Sequence, residues 1–259
     1  MGHDVNYIAF AGALGLIGRK GGAPVIPLNL LADYAGGGLS AVIGIETALL
    51  VRERTGRGQF VDMSMTDGVV YMLTKYFSEY FAGTWVPERG NNSSGGRASH
   101  YYNVYKTKDR KYITIGSVEP WLYANLCRAL GHEDFIPYQF ATGAKRREML
   151  RVFRQMFLTR TRDEWFDILN KTDTCAGKVQ SFDEVIEHPH FLERQMFVEL
   201  DDPQKGKVKQ VGIGIKLSDT PGSIRSLVPK RGEHTNEILT GLGYKEEKIA
   251  DLRHEGCIG

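Results

Sequence analysis

Cysteine is scarce in this chain. Its 259 residues hold three, Cys127, Cys175 and Cys257, set far apart. No Cys-x-x-Cys pair occurs, so neither a structural zinc site nor a disulfide framework is expected, and a reducing, cytoplasmic setting fits. An excess of charge of either sign is missing as well: 33 basic residues stand against 31 acidic ones. That balance gives no long-range field to hold nucleic acid or a membrane surface. No run of about 18 uninterrupted apolar residues appears, so no membrane span is expected. The start lacks a basic n-region and its apolar run is broken by glycines, so it does not read as a signal peptide. "NNSS" (91–94) contains glycosylation sequons, which carry little weight without a secretory signal. Repeats and low-complexity tracts are absent. So is a Gly-rich phosphate fingerprint: "YAGGG" (34–38) is too compact for G-x-G-x-x-G and reads as a place where a helix packs closely.

What is present suits a soluble α/β protein. Apolar residues make up 42% of the chain, enough for a sizeable core in one large or two modest domains. Residues 36–54 read as a helix that is apolar on most sides, hence buried, with Arg52 and Arg54 placed to suit the dipole of its last turn. "TGRGQ" stops it, "QFVDMSM" alternates like a strand, and "TDGVVYMLTKYFSEYFAG" reads as a helix capped by Thr66 or Asp67. A Gly/Asn-rich loop, "RGNNSSGGRAS", separates this third from the middle. "HYYNVYKTKDRKYITIGSV" reads as two strands around a Lys-Asp-Arg-Lys turn, and "EPWLYANLCRALG" as a helix with Pro120 in its first turn and Gly131 at its end. Two amphipathic helices follow, "KRREMLRVFRQMFLTR" and "TRDEWFDILNKT", and then "SFDEVIEHPHFLER" with Ser181 as a cap; the charge run 145–154 reads as a solvated helix face. Strand-like "VKQVGIGIKL" and two short helices around a Gly-Leu-Gly break complete the alternation.

The opening "MGHDVNYIAF" places His3, Asp4 and Tyr7 almost on the first residue, where chain ends fray unless tied down. Together with "PLNLLADYAGGG", "ERTGRGQFVDMSM", "GSVEPWLYANL" and "GEHTNEIL", this block resembles the family III CoA-transferases, from residue 2 to about residue 252. The likeness is nearer to the α-methylacyl-CoA racemase branch. It implies a family III CoA-transferase fold. Residues 1–85 and 200–259 would form an incomplete Rossmann-like large domain and 100–190 a small α/β domain, with 86–99 and 191–199 as linkers. Family members carry a long segment ahead of the GHD block that contributes much of the CoA site, so the resemblance implies that this chain is a fragment, the alternative to a catalytic chain being a non-catalytic or split-gene piece of such an enzyme. Such a fragment is expected to associate through its exposed helix and sheet edge. The partners implied are an acyl-CoA substrate and an interlocked second copy, or a chain supplying the missing segment. Nucleic acid and membrane are not expected partners. No metal and no bound cofactor are implied, coenzyme A entering as the thioester substrate.

The chemistry behind the resemblance is plain. A hydrogen α to a thioester carbonyl is a weak acid, and removing it needs a positioned base and a stabilised enolate oxygen. Inverting the carbon needs a second proton-transfer group on the opposite face. The racemase pattern implies His3 and Asp33 as that pair and Glu119 as the residue holding His3. Each also has a structural reading. Asp33 can cap the helix beginning near Gly36, a role compatible with catalysis because a helix N-terminus favours an anion and offers N–H groups to an enolate oxygen. Glu119, before Pro120, can be a helix-start acid. Asp4 and Tyr7 are either structural or, by resemblance, near the thioester pocket. In the transferase branch the residue matching Asp33 is instead a nucleophile that takes the acyl group as a mixed anhydride and then becomes an aspartyl-CoA thioester.

Two departures from the racemase pattern stand out. "SSGGRAS" lacks its Asp and Pro and gains Arg97; Gly95, Gly96 and Arg97 are candidate substrate contacts, Arg97 for a carboxylate. Lys178 stands where racemases have Pro. Cys175 beside it reads as a small packed residue rather than a nucleophile.

Overall fold

The computed structural model describes residues 2–92, 96, 97 and 99–259, with backbone alone at 91, 92, 96 and 97. It is a mixed α/β structure with two compact units, Met1–Val179 and Gln180–Gly259.

The first unit opens with α1 (Asp4–Phe10) and α2 (Ala13–Leu16), then a π-helical segment, Leu30–Leu39, running straight into α3 (Ser40–Thr55). α4 (Met65–Met72) and α5 (Thr74–Phe81) follow, separated at Leu73. Ile8, Ala11, Ala13, Ala32 and Val69 form a small core between α1, the π-helical segment and α4. Small residues make this packing possible. A Cβ on Gly68 would stand 2.7 Å from the Gly36 Cα, and one on Gly36 would stand 2.9 Å from the Met65 carbonyl oxygen. The glycines of "YAGGG" therefore seat α4 against the π-helical segment, as the sequence suggested.

Four expectations for this region change. α3 has no buried residue, and Val42, Ile43, Ile45 and Leu50 are each more than half exposed. Its apolar surface faces outward because no described element packs over it. Helical continuity makes Leu30–Thr55, 26 residues, long and apolar enough to cross a membrane by length and composition alone. Residues 59–64 form no strand, since no neighbouring strand pairs with them among the described residues. Ser64, not Thr66 or Asp67, caps α4, accepting from the Asp67 N–H at 3.3 Å.

A short hairpin, β1 (Asn91–Asn92) with β2 (Gly96–Arg97), leads to the larger core. Here β3 (Tyr102–Lys106), β4 (Tyr112–Gly116) and β5 (Ala176–Lys178) form an antiparallel sheet in that spatial order. α6 (Pro120–Ala129), α7 (Gly143–Phe157) and α8 (Arg162–Leu169) pack with it. Alternation turns Ile113 and Ile115 of β4 inward, and α7 buries Met149, Leu150, Phe153 and Phe157 along one stripe. Burying a side chain such as Phe153 stabilises by roughly 1.5–3 kcal/mol. The buried indole of Trp165 donates to the Phe157 carbonyl at 3.0 Å, satisfying the last carbonyl of α7. Thr161 and Glu164 form a capping box at α8.

The second unit, taken by itself, has α9 (Phe182–Ile186), capped by Ser181 as expected, and α10 (Pro189–Glu193). The hairpin of β6 (Phe197–Asp202) and β7 (Gly206–Val211) comes next, then α11 (Thr235–Gly241) and α12 (Glu246–His254). Asp202 Oδ1 closes the hairpin turn, accepting from the Gln204 and Lys205 N–H groups.

Candidate active site

The first residues are not a loose end. His3 is the N-cap of α1; its N–H donates to Asn6 Oδ1 at 3.0 Å and its carbonyl accepts from the Asn6 N–H at 2.8 Å. Helix α1 thereby begins one residue after an exposed imidazole.

Asp4 then turns inward. Only 4% exposed, its Oδ2 accepts from the backbone N–H groups of Ala32 at 2.7 Å and Asp33 at 3.0 Å. Both donors lie in the first turn of the π-helical segment, where N–H groups lack helical partners and the dipole favours an anion. One buried carboxylate thus ties the start of α1 to the start of the next long helix and brings His3 and Asp33 onto neighbouring elements. Asp4 Oδ1 is buried with no hydrogen-bond partner among the described residues.

Asp33 does not cap a helix beginning near Gly36; it sits inside the helical run, whose N-cap is Asn29. Its exposed carboxylate accepts from Asn29 Nδ2 at 3.2 Å. The Ala32 and Asp33 N–H groups, being taken by Asp4, are not available to an enolate oxygen. Asn29 was missed from the sequence, although its spacing of four residues before Asp33 is a helical one. π-Helical turns are rare and recur at functional sites. Tyr7 lies one turn along α1, half-buried.

Glu119 stands apart. It is the N-cap of α6, with an exposed side chain that makes no capping bond. No described hydrogen bond or ion pair joins it to His3 or Asp33. Gly95 lies outside the described residues, and Gly96 and Arg97 are defined only as the backbone of β2.

Other singled-out positions find structural explanations. Lys178 Nζ pairs with Asp163 Oδ1 at 2.9 Å and lies 4.9 Å from the Phe166 ring centroid. The Lys178 bond, helped by Arg162, holds the Asp163 carboxyl below its usual range. Cys175 is exposed rather than packed, has a left-handed φ of 51°, and its carbonyl accepts from the Gly116 N–H at 2.9 Å. Cys127 is the buried cysteine, and burial pushes its thiol up to about 11, far from nucleophilic character. Among the described residues no group of three His, Cys, Asp or Glu side chains is placed to hold a metal.

Known proteins resemble this chain over nearly its full length. A sequence profile for CoA-transferase family III matches residues 1–235. Alpha-methylacyl-CoA racemase of Mus musculus is 38% identical over 258 residues, covering 99% of this chain and 66% of that protein. Formyl-CoA:oxalate CoA-transferase of Bradyrhizobium sp. (strain ORS 278) is 31% identical over 273 residues, covering 95% and 64%. The chain therefore spans less than two thirds of the length of these curated relatives. Among solved structures, a CAIB/BAIF family protein from Brucella suis superposes with a TM-score of 0.75 at 28% identity, covering 93% of this chain and 63% of that one.

Proposed function

This chain belongs to CoA-transferase family III, and from that premise we propose that it acts on acyl-CoA thioesters as an α-methylacyl-CoA racemase or epimerase. The observation that carries the reading is the Asp4 bridge, which seats His3 and Asp33 on adjoining helix starts with both side chains exposed. In this reading one of the two removes the α-proton, forming an enolate, and the other returns a proton to the opposite face. The roles exchange for the other enantiomer, so the pair ends each turnover with one proton moved from one group to the other. Glu119 orients His3. Asp4 and Tyr7 shape the thioester pocket, and Gly95, Gly96 and Arg97 are further substrate contacts.

The identity to racemases, 38%, exceeds that to the transferase, 31%, which supports racemisation over transfer. An exposed Asp33 carboxylate keeps CoA transfer as the second reading, with Asp33 attacking the acyl carbonyl. We assign residues 1–85 and 200–259 to a large domain and 100–190 to a small one; the separate cores before and after residues 86–99 support the split of the first unit. The exposed apolar face of α3 supports a second copy or a partner subunit covering it, and the glycine-mediated seating of α4 favours this over a membrane. A cytoplasmic setting completes the proposal.

The test is to incubate the protein with a 2-methylacyl-CoA in deuterated water, with and without a free carboxylic acid. Deuterium entering the α-carbon supports racemisation. CoA passing to the acid with no α-deuterium replaces it by the second reading.

A further inference from the structure

The link between β4 and α6 is fastened from beneath. Gly116 donates to the Cys175 carbonyl at 2.9 Å, and the fully buried Ser117 hydroxyl donates to the Thr174 carbonyl at 2.5 Å. The carbonyls of Ser117 and Val118 converge on one side chain: Gln139 Nε2 donates to them at 3.3 and 2.7 Å. Gln139 is 5% exposed and follows the 3₁₀ turn Glu133–Tyr138. Two acceptors facing its amide fix which end is nitrogen.

From the other side Pro120 confines the preceding residue to extended backbone, and Glu119 lies at φ −73°, ψ 141°. The Glu119 carbonyl is also engaged, by the Tyr123 N–H at 3.0 Å. Its backbone is thus held before and after, while its carboxylate makes no capping bond. A buried amide held by two consecutive carbonyls is costly to lose, since the buried Ser117 carbonyl and the half-buried Val118 carbonyl then each lose a partner. The expense falls directly beneath an exposed, uncommitted acid.

We propose that Gln139 is a positioning residue for Glu119. It sets the backbone from which the Glu119 carboxylate orients His3 and itself touches neither substrate nor reacting atoms. This rests on the role given to Glu119 above.

A double-mutant cycle on α-proton exchange tests it. Gln139→Met should lower kcat about 10-fold with KM nearly unchanged, less than the roughly 100-fold that a 1 Å misplacement of a reacting group can cost, because Glu119 acts through His3. In a Glu119→Gln background the same change should cost less than about 2-fold, because the residue being positioned is already disabled. Gln139→Glu keeps the shape but loses the amide donor and should behave like Met. Equal losses in both backgrounds, or a wild-type-like Gln139→Glu, overturn the proposal. Should the wild-type protein exchange no α-proton, the functional reading fails, and backbone amide exchange decides this one. Faster exchange confined to 116–123 in the Met and Glu variants supports it; unchanged exchange there, or loosening spread over the whole 100–179 core, overturns it.

Discussion

Acid should weaken the sheet-and-helix core through one histidine. His100 is fully buried; its Nε2 lies 2.8 Å from Tyr123 Oη, and that hydroxyl lies 3.2 Å from the Phe135 carbonyl. The arrangement satisfying both donors has Nε2–H donating to Tyr123 and Tyr123 donating to Phe135. Nδ1 is buried without a partner among the described residues, so protonating it would place a charged N–H where nothing accepts it. Burial, then the Arg146 guanidinium, lowers its pKa from the ordinary 6.5 to about 4. The sign follows: the folded protein holds His100 neutral, whereas the unfolded chain takes up a proton as pH falls through 6.5. The contribution is intact above that value, declines between 6.5 and about 4, and levels off below. At about 1.36 kcal/mol per pH unit the full loss is about 3 kcal/mol, of which about 2 kcal/mol is gone by pH 5. Urea midpoints read by fluorescence of the buried Trp165 between pH 7 and pH 4.5 give the measurement. His100→Gln keeps a donor toward Tyr123 but cannot titrate in this range, so its stability should fall with pH less steeply by that amount. Parallel curves for the two proteins would refute the reasoning.

Three further outcomes are expected. Gly68→Ala should destabilise by about 1–3 kcal/mol or more, seen as a lowered Tm, because the new methyl meets the Gly36 backbone rather than a side chain that can move. Ile43→Glu with Leu50→Glu on α3 should reduce self-association measured by light scattering, since both residues are more than half exposed on an apolar face; undiminished association would place the contact elsewhere. Asp4→Ala should cost about 1–3 kcal/mol by stranding the Ala32 and Asp33 N–H groups and should lower α-proton exchange with it, whereas Asp4→Asn, which keeps an accepting oxygen, should retain most of the stability in the same melt.

Local signals in the sequence sufficed for much of the fold. The stripe of Met149, Phe153 and Phe157, the alternation through Ile113 and Ile115, Pro120 opening α6 and Ser181 capping α9 all depend on interactions within a few residues. Family membership was legible in the same way, because the GHD and "PLNLLADYAGGG" blocks are contiguous. The sequence also named His3, Asp33 and Glu119 as candidates. It could not show that Asp4 is the clasp between the first two, since that bond spans 29 positions from Asp4 to Asp33. Nor could it show Gln139 beneath Glu119, 21 positions from the carbonyl of Val118. Apolar composition predicted burial for residues 36–54, yet burial depends on what lies alongside, and α3 lies open. Alternation in "QFVDMSM" likewise supplied one side of a ladder that needs a second. Chemistry-bearing residues and local elements were set by the sequence alone; their partners across long stretches of chain were decided by tertiary structure, because hydrogen bonds and packing join atoms close in space, whatever their separation along the chain.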